Sequence, residues 1–514
     1  MSLLQNVLEN ALLHPWITSF VFAVFYASIK GYWKRRKAWV DVPTVGPTGI
    51  FSSYLGVWKY IRNGDEVLRE GYEKYGKTGM FQVADLSRWT VVVTSVEMIQ
   101  ELVRVPDEIL SFVQASNELI QGDWTMGPNI HANDYHVPIL RSTFTRNLGF
   151  LYPEIIAEVE AAMNSALPDR PGEWVALQGT YGAMINCIAR VANRVFVGAP
   201  LCQDPEYVAL GIRYATDVVL GAQVIRLFPD FLKPLVGRMF TRVGSTTRQA
   251  LKQLKPIIES RYAAMEERGE KYEDKPKDIL QLLMDDAVGI ERTAENLTRR
   301  ILILNFAAIH TTSMSLTHAL FSLAAAPEYI GPLREEIEKA VDEHGWTKTM
   351  LAKCRKLDSF VKESQRLRGA GTLTMARIAL QDYTFSNGTF IPKGTVLNVI
   401  STARHADPEL YGETAVDFDP FRYSVMREAD GEGTKHHMVT PSIDYLPFGF
   451  GRHACPGRFF AVTAMKSMMA YIMLNYDVKF ASGKRPADRA IASLCLPDSS
   501  AEVLFRKRSI ASST

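Results

Sequence analysis

Cysteine is scarce in this sequence and net charge is nearly absent. Five cysteines in 514 residues, an odd number without paired spacing, exclude a disulfide scaffold and suit a reducing compartment. A formal charge of +2 gives no footprint for nucleic acid. After residue 50 no Pro/Gly/Ser-rich linker, no block of like charge and no internal repeat divides the chain. Length alone suggests roughly three domains, but one large, mostly helical body is the simpler expectation, large enough to enclose a cofactor and a substrate. Met1–Asn10 lacks lysine and arginine, which argues against the basic start of a cleaved secretory signal. His131 and His136 are spaced unlike zinc ligands and no second pair accompanies them.

What the chain does have begins with an apolar run from Ala11 to Ile29, followed by Lys30, Lys34, Arg35, Arg36 and Lys37. A run of this length can cross a bilayer as a helix, and the basic residues after it would hold the following chain in the cytosol. An amphipathic first helix would give the same pattern. The expectation is a membrane anchor with its basic stop over 1–38, a proline-rich hinge over 39–50 containing Pro43 and Pro47, and a catalytic domain over 51–514.

The most informative stretch is Phe448-Gly-Phe-Gly-Arg452-His453-Ala-Cys455-Pro-Gly457. Gly449, Gly451 and Gly457 permit positive φ and close approach to something flat and bulky. Pro456 suits a first helical position, and the apolar residues after it recur at helical spacing. Cys455 is therefore expected at a helix N-terminus, with Arg452 nearby, where its thiolate is favoured as a nucleophile, a redox switch or a metal ligand. Cys187, Cys202, Cys354 and Cys495 have no such surroundings and read as small apolar residues.

The pattern Phe-x-x-Gly-Arg-x-x-Cys-x-Gly resembles the haem-binding loop of the cytochrome P-450 superfamily, in which the cysteine thiolate is the axial ligand of haem iron. The family usually has arginine two residues before the cysteine; here His453 stands there, with Arg452 beside it. The resemblance implies haem b (iron protoporphyrin IX). It places Phe448, Gly449, Arg452, His453, Gly457, Arg141, His136, Arg377, Ala307 and Ala308 around the cofactor. Arg141 and His136 lie where the family has a Trp/Arg helix, and no tryptophan is present there.

Thr293 reads as an N-cap with Glu295 in the first turn, opening a helix uninterrupted by glycine or proline until Pro327, about 50 Å long. Its middle, Ala307-Ala308-Ile-His310-Thr311-Thr312, resembles the family's oxygen-activation segment, with His310 in the acidic position and Thr311 on the proton-delivering threonine. Two adjacent threonines can also bond back to carbonyls one turn earlier. Histidine can relay protons near neutrality, although a lone mid-helix histidine is commonly a packed core residue. Glu363-x-x-Arg366 on one helical face and Arg422 in Pro420-Phe-Arg422 resemble the family's buried ion triad. Met80–Val83 with Trp89–Thr94, and Phe385–Thr395 with its Asn-Gly turn, read as hairpins. In the family fold residues 205–250 suit two helices and a mobile lid, and the resemblance makes Trp124 and Met126 candidates for substrate contact.

The resemblance covers residues 40 to about 500 in family order. It implies a mainly α fold with small β-sheets, the cytochrome P-450 fold, behind an N-terminal transmembrane helix. It further implies a haem-thiolate monooxygenase at the endoplasmic reticulum, with its catalytic domain cytosolic and an apolar, terpenoid or steroid-like substrate. Electrons would come from NADPH-cytochrome P-450 reductase, with cytochrome b5 as a second donor. Competing readings are a haem-thiolate isomerase or dehydratase, and a non-catalytic haem sensor or ligand carrier; the retained Thr311–Thr312 argues against the isomerase.

Overall fold

The computed structural model describes residues 29, 31–33, 35–86, 88–127, 130, 133–269 and 272–509. Apart from Ile29, the apolar run expected as an anchor falls outside these residues, as do Lys30, Lys34 and His131. The chain forms two compact units rather than the single body expected. No linker marks the division, because the chain passes between the units several times: residues 376–400 and 491–493 join the first unit, whose main part is residues up to Ala115.

The first unit is built on a six-stranded sheet. Met80–Ala84 and Trp89–Val93 pair antiparallel, with Ala84 opposite Trp89, and Asp85 N–H closes the turn on the Arg88 carbonyl at 2.9 Å. Both strands are buried on both faces, which explains their near-continuous apolar sequence. Val396–Ile400 runs parallel to Trp89–Val93, and Leu110–Ser111 pairs with Ile378 and Ala379. Within the proline-rich stretch, Thr44–Val45 adds a parallel edge strand opposite Gln82–Val83. Arg35, expected as part of the basic stop, is buried in this unit, bonded to Ser53 Oγ at 2.8 Å and stacked 4.2 Å from the Tyr54 ring. The Asn-Gly hairpin forms, but only Gly388 takes a positive φ, +87°. Phe385 N–H meets the Thr389 carbonyl across a three-residue loop, the bulged form of the turn.

The second unit is mainly helical. The helices that matter for the site are α1 (Thr145–Ala166), α2 (Thr180–Phe196), α3 (Pro205–Arg226), α4 (Lys233–Phe240), α5 (Val243–Arg268), α6 (Ala294–Ala325), α7 (Arg355–Leu367) and α8 (Arg458–Asn475). α6 is the spine, packed by α2, α3, α5, α7 and α8. Thr293 caps it, its hydroxyl accepting the Asn296 N–H at 3.3 Å. Residues 312–324 are buried without a break, and the buried hydroxyls of Thr317 and Ser322 are satisfied on the carbonyls of Ser313 and His318, four residues earlier. A three-stranded antiparallel sheet, in the order Tyr476–Lys479, Val503–Lys507 and Trp174–Leu177, closes one side.

Residues 205–250 hold the start of a third helix, not only two. Gly221 lies inside α3, where a Cβ would come within 2.6 Å of Thr241 Cγ2; it permits close packing. α3 is also the one described helix long and apolar enough to cross a membrane, but half of that window is buried within the protein. Its C-terminal end and α4 expose Leu220, Leu227, Phe231, Leu235, Met239 and Phe240.

Candidate functional site

Cys455 sits at the end of a closed loop. Its N–H donates to the Phe448 carbonyl at 2.8 Å, Gly449 N–H to the Leu446 carbonyl at 2.8 Å, and Ala454 N–H to the Gly451 carbonyl at 3.1 Å. Gly449 and Gly451 take φ of +67° and +71°, the left-handed conformation that favours glycine. Gly457 does not: its φ is −88° and it caps α8, whose first residue is Arg458. Pro456 therefore precedes the cap, and Cys455 lies two residues further out than expected. The cause is an extra turn through Pro456 and Gly457, which aims the N–H groups of Gly457 and Arg458 at the sulfur. Arg458, which the sequence pattern does not single out, donates to the carbonyls of Cys455 (2.8 Å) and Val439 (3.0 Å) and pins the loop to α8.

Burial pushes the Cys455 thiol above its ordinary range. The Gly457 and Arg458 N–H groups and the Arg458 and Arg141 guanidinium charges pull the other way without reversing the shift. The backbone donors and cationic groups thus favour the thiolate against the cost of burial, and a metal cation held there would favour it further. Cys187, Cys202 and Cys354 are buried, with burial raising Cys187 and Cys354 to about 12, and Cys495 is half-buried.

The expected cationic groups are divided. Arg141, exposed on a short π-helix (Leu140–Phe144), donates to the Arg452 carbonyl at 2.7 Å, and Arg452 Nε lies 3.2 Å from His453 Nε2. These three gather at the cysteine loop. His136 does not join them. Its Nδ1 faces Arg300 Nη1 at 3.1 Å, in a group where Arg300 also pairs with Glu291 at 2.8 Å. Arg377 belongs to the first unit, buried on its strand with its guanidinium 5.5 Å from the Phe112 ring.

On α6, Ala307 and Thr311 are exposed although the helix around them is buried, so this one face opens onto accessible space. Thr311 Oγ1 donates to the Ala307 carbonyl at 2.7 Å, and Ser315 Oγ to the Thr311 carbonyl at 3.1 Å. Thr312 is buried. Ala308 and Cys455 border the same apolar core. His310 turns its ring to α3, where Nε2 lies 3.3 Å from Thr216 Oγ1; since Thr216 gives its own proton to the Ile212 carbonyl at 3.1 Å, the histidine nitrogen is the donor. Burial lowers the His310 pKa. Trp124 is partly exposed, whereas Met126 is buried among Tyr214, Val218 and Leu302. In the segment Gly369–Ala376, buried Met375 holds φ +56°, a costly conformation for any residue with a side chain, near Gly449.

Glu363 is the centre of a buried charge group. Arg366 meets both its oxygens at 2.7 Å, and Arg422 Nε reaches one at 3.2 Å. Arg366 also donates to the carbonyls of His405, Ala415 (2.6 Å) and Asp417 (3.2 Å).

These residues fit an iron porphyrin. One half-buried cysteine sulfur carries two backbone donors, and a Cβ added to Gly457 would meet no protein atom within 4 Å. Arginine and histidine flank the loop, and small residues line the open face of α6. The cytochrome P450 family model matches residues 47–505. The chain belongs to the cytochrome P450 family. This P450 is 43% identical to cytochrome P450 monooxygenase 151 of Postia placenta, over 95% of the chain and 98% of that protein. It is 35% identical to cytochrome P450 monooxygenase CYP512U6 of Ganoderma lucidum, over 92% and 93%. With ent-kaurene oxidase P450-4 of Gibberella fujikuroi it shares 32%, over 96% of both. Retinoic acid bound cyanobacterial CYP120A1 has the same fold, with TM-score 0.67 at 20% identity, covering 91% of this chain and 100% of that one. The P450 is accordingly a monooxygenase of a family whose cofactor is haem iron.

Proposed function

We propose that this P450 is a membrane-anchored monooxygenase that oxidises an apolar terpenoid or steroid-like molecule, with Cys455 as the residue that would hold the iron of haem b. The observation that carries the site assignment is the Cys455 sulfur, set in a closed loop under two backbone N–H groups and bordering the core that Ala308 also borders. Bound there, the haem supplies oxygen activation, favoured by thiolate donation. The protein's own residues position the substrate and exclude water. Arg141, Arg452 and His453 would bond the propionates, and Gly449 and Gly457 would leave room for the ring.

Thr311 Oγ1 holds a proton on the Ala307 carbonyl, and rotation of the hydroxyl releases it into the accessible space beside the helix. For His310 the contact with Thr216 favours a positioning role: its Nε2–H faces α3, and burial keeps it neutral at neutral pH. The chain's similarity to the ent-kaurene oxidase supports a terpenoid hydrocarbon as substrate. The apolar run over 11–29 supports a single-pass anchor at the endoplasmic reticulum. The exposed Arg141 and Arg452 beside the cysteine loop support docking of NADPH-cytochrome P-450 reductase, with cytochrome b5 as a second donor.

Co-expression with a reductase, a terpenoid panel and product identification by mass tests the reading. The expected result is an NADPH-dependent product carrying one atom from labelled O2. Cys455→Ser is expected to remove the thiolate-type CO absorption band and turnover together. Turnover surviving that substitution would overturn the assignment.

A further inference from the structure

Inside the second unit, one directed run of buried hydrogen bonds leads from the loop before Cys455 to the turn of α6 that carries Thr311. Tyr445 O–H donates to Gln365 Oε1 at 2.7 Å, and Gln365 Nε2–H donates to Ser315 Oγ at 3.3 Å. Ser315 O–H donates to the Thr311 carbonyl at 3.1 Å. Tyr445, Gln365 and Ser315 are each at least 95% buried, so no water competes for these groups. Each bond fixes the sense of the next: a hydroxyl that gives its proton to a carbonyl must accept from the amide, and the amide's oxygen then faces the phenol.

Both ends are tied to chemistry-bearing segments. At one end, the Thr311 carbonyl receives a side-chain hydroxyl one turn later, a bond that bends a helix locally. At the other, Leu446 N–H donates to His405 Nε2 at 3.1 Å, with the His405 ring stacked 5.9 Å from that of Tyr445. The Leu446 carbonyl accepts Gly449 N–H, and Phe448 accepts from Cys455. Lys362 Nζ also lies 4.5 Å from the Tyr445 ring centroid and 4.0 Å from that of Tyr423. Gln365 is the middle member and belongs to the same helix, α7, as Glu363 and Arg366.

We propose that Gln365 is a positioning residue that couples the cysteine loop to the Thr311 turn, so that a change in either is felt by the other. The inference rests on the haem-thiolate reading above. Coupling of this kind is reciprocal, which a passive packing role is not required to be.

The test is hydrogen exchange, read by mass spectrometry, on the purified holoenzyme. Tyr445→Phe is expected to raise exchange of amides 312–316 by about 5–30-fold, and Ser315→Ala to raise exchange in residues 446–449 by a similar factor. Gln365→Leu is expected to do both. Tyr152→Phe, which deletes an equally buried hydroxyl 3.2 Å from Ser467 Oγ outside the run, is expected to change neither segment. The proposal is overturned if Tyr445→Phe leaves 312–316 at the wild-type rate, or if Tyr152→Phe loosens the same segments. The single-hydroxyl variants decide the matter if Gln365→Leu fails to fold. Absence of a thiolate-type CO band in the wild type would sink the underlying reading instead; a normal band with unchanged exchange would sink the coupling alone.

Discussion

Thr311 holds its proton one bond away from release. The hydroxyl is exposed yet engaged on the Ala307 carbonyl, so it can exchange that acceptor for a neighbour without moving the helix. Thr311→Ala removes the proton-holding atom and little else. The expected result is a kcat roughly 100-fold lower, with KM nearly unchanged and NADPH still consumed, so that product per NADPH falls; Thr311→Ser restores most of it. His310→Ala should act differently, because its ring is directed at Thr216: altered substrate preference or KM is expected, measured across the same terpenoid panel. At this scale the sequence was legible where a residue type is demanded by its backbone, as for Gly449 and Gly451. It was not legible where a role depends on a distant partner: His310 stands in the acidic position by sequence, but Thr216 decides where its proton points. His136 was drawn away by Arg300 for the same reason.

Among the elements, α7 depends most on buried charge. Arg366 serves both oxygens of Glu363 and three carbonyls through one planar fork, a geometry that an ammonium cannot reproduce. Removing one member of a buried pair leaves the other uncompensated. Arg366→Lys and Glu363→Gln should therefore each cost about 3–5 kcal/mol, measured as a fall in the denaturation midpoint with loss of bound haem. The Glu363-x-x-Arg366 spacing announced this pair from the sequence, since i and i+3 share a helical face. The carbonyls of His405, Ala415 and Asp417 come from a segment roughly forty to fifty residues away with no local signal. α6 was readable end to end from its cap and its lack of glycine and proline. The start of α8 was misplaced because the turn through Pro456 and Gly457 forms to satisfy the sulfur, which no propensity encodes.

For the molecule as a whole, two buried histidines set an acid limit. His405 donates from Nδ1 to the Arg366 carbonyl at 3.0 Å and accepts Leu446 N–H on Nε2, an arrangement only the neutral ring satisfies. His318 likewise faces the Cys495 carbonyl at 3.1 Å with one nitrogen and Arg485 at 2.9 Å with the other. Burial lowers them to about 3 and about 4, from an ordinary 6.5. A folded-state pKa below the unfolded one means that the unfolded chain binds protons first. Their contribution to stability is thus complete above about pH 6.5 and is lost as pH falls towards 4 and then 3. Denaturant midpoints measured from pH 7 to pH 4 should fall in that direction, and His318→Asn should flatten the slope while lowering the starting point.

Deleting residues 1–38 is the natural first step towards crystals, and the end of α3 with α4 has a bearing on it. Leu220, Leu227, Phe231, Leu235, Met239 and Phe240 would remain bare in water after the deletion. Such material should still float with liposomes and, in their absence, run on a sizing column as clusters that a mild detergent disperses. Polar replacements at Phe231 and Phe240, more than a shorter N-terminus, should yield a monodisperse sample.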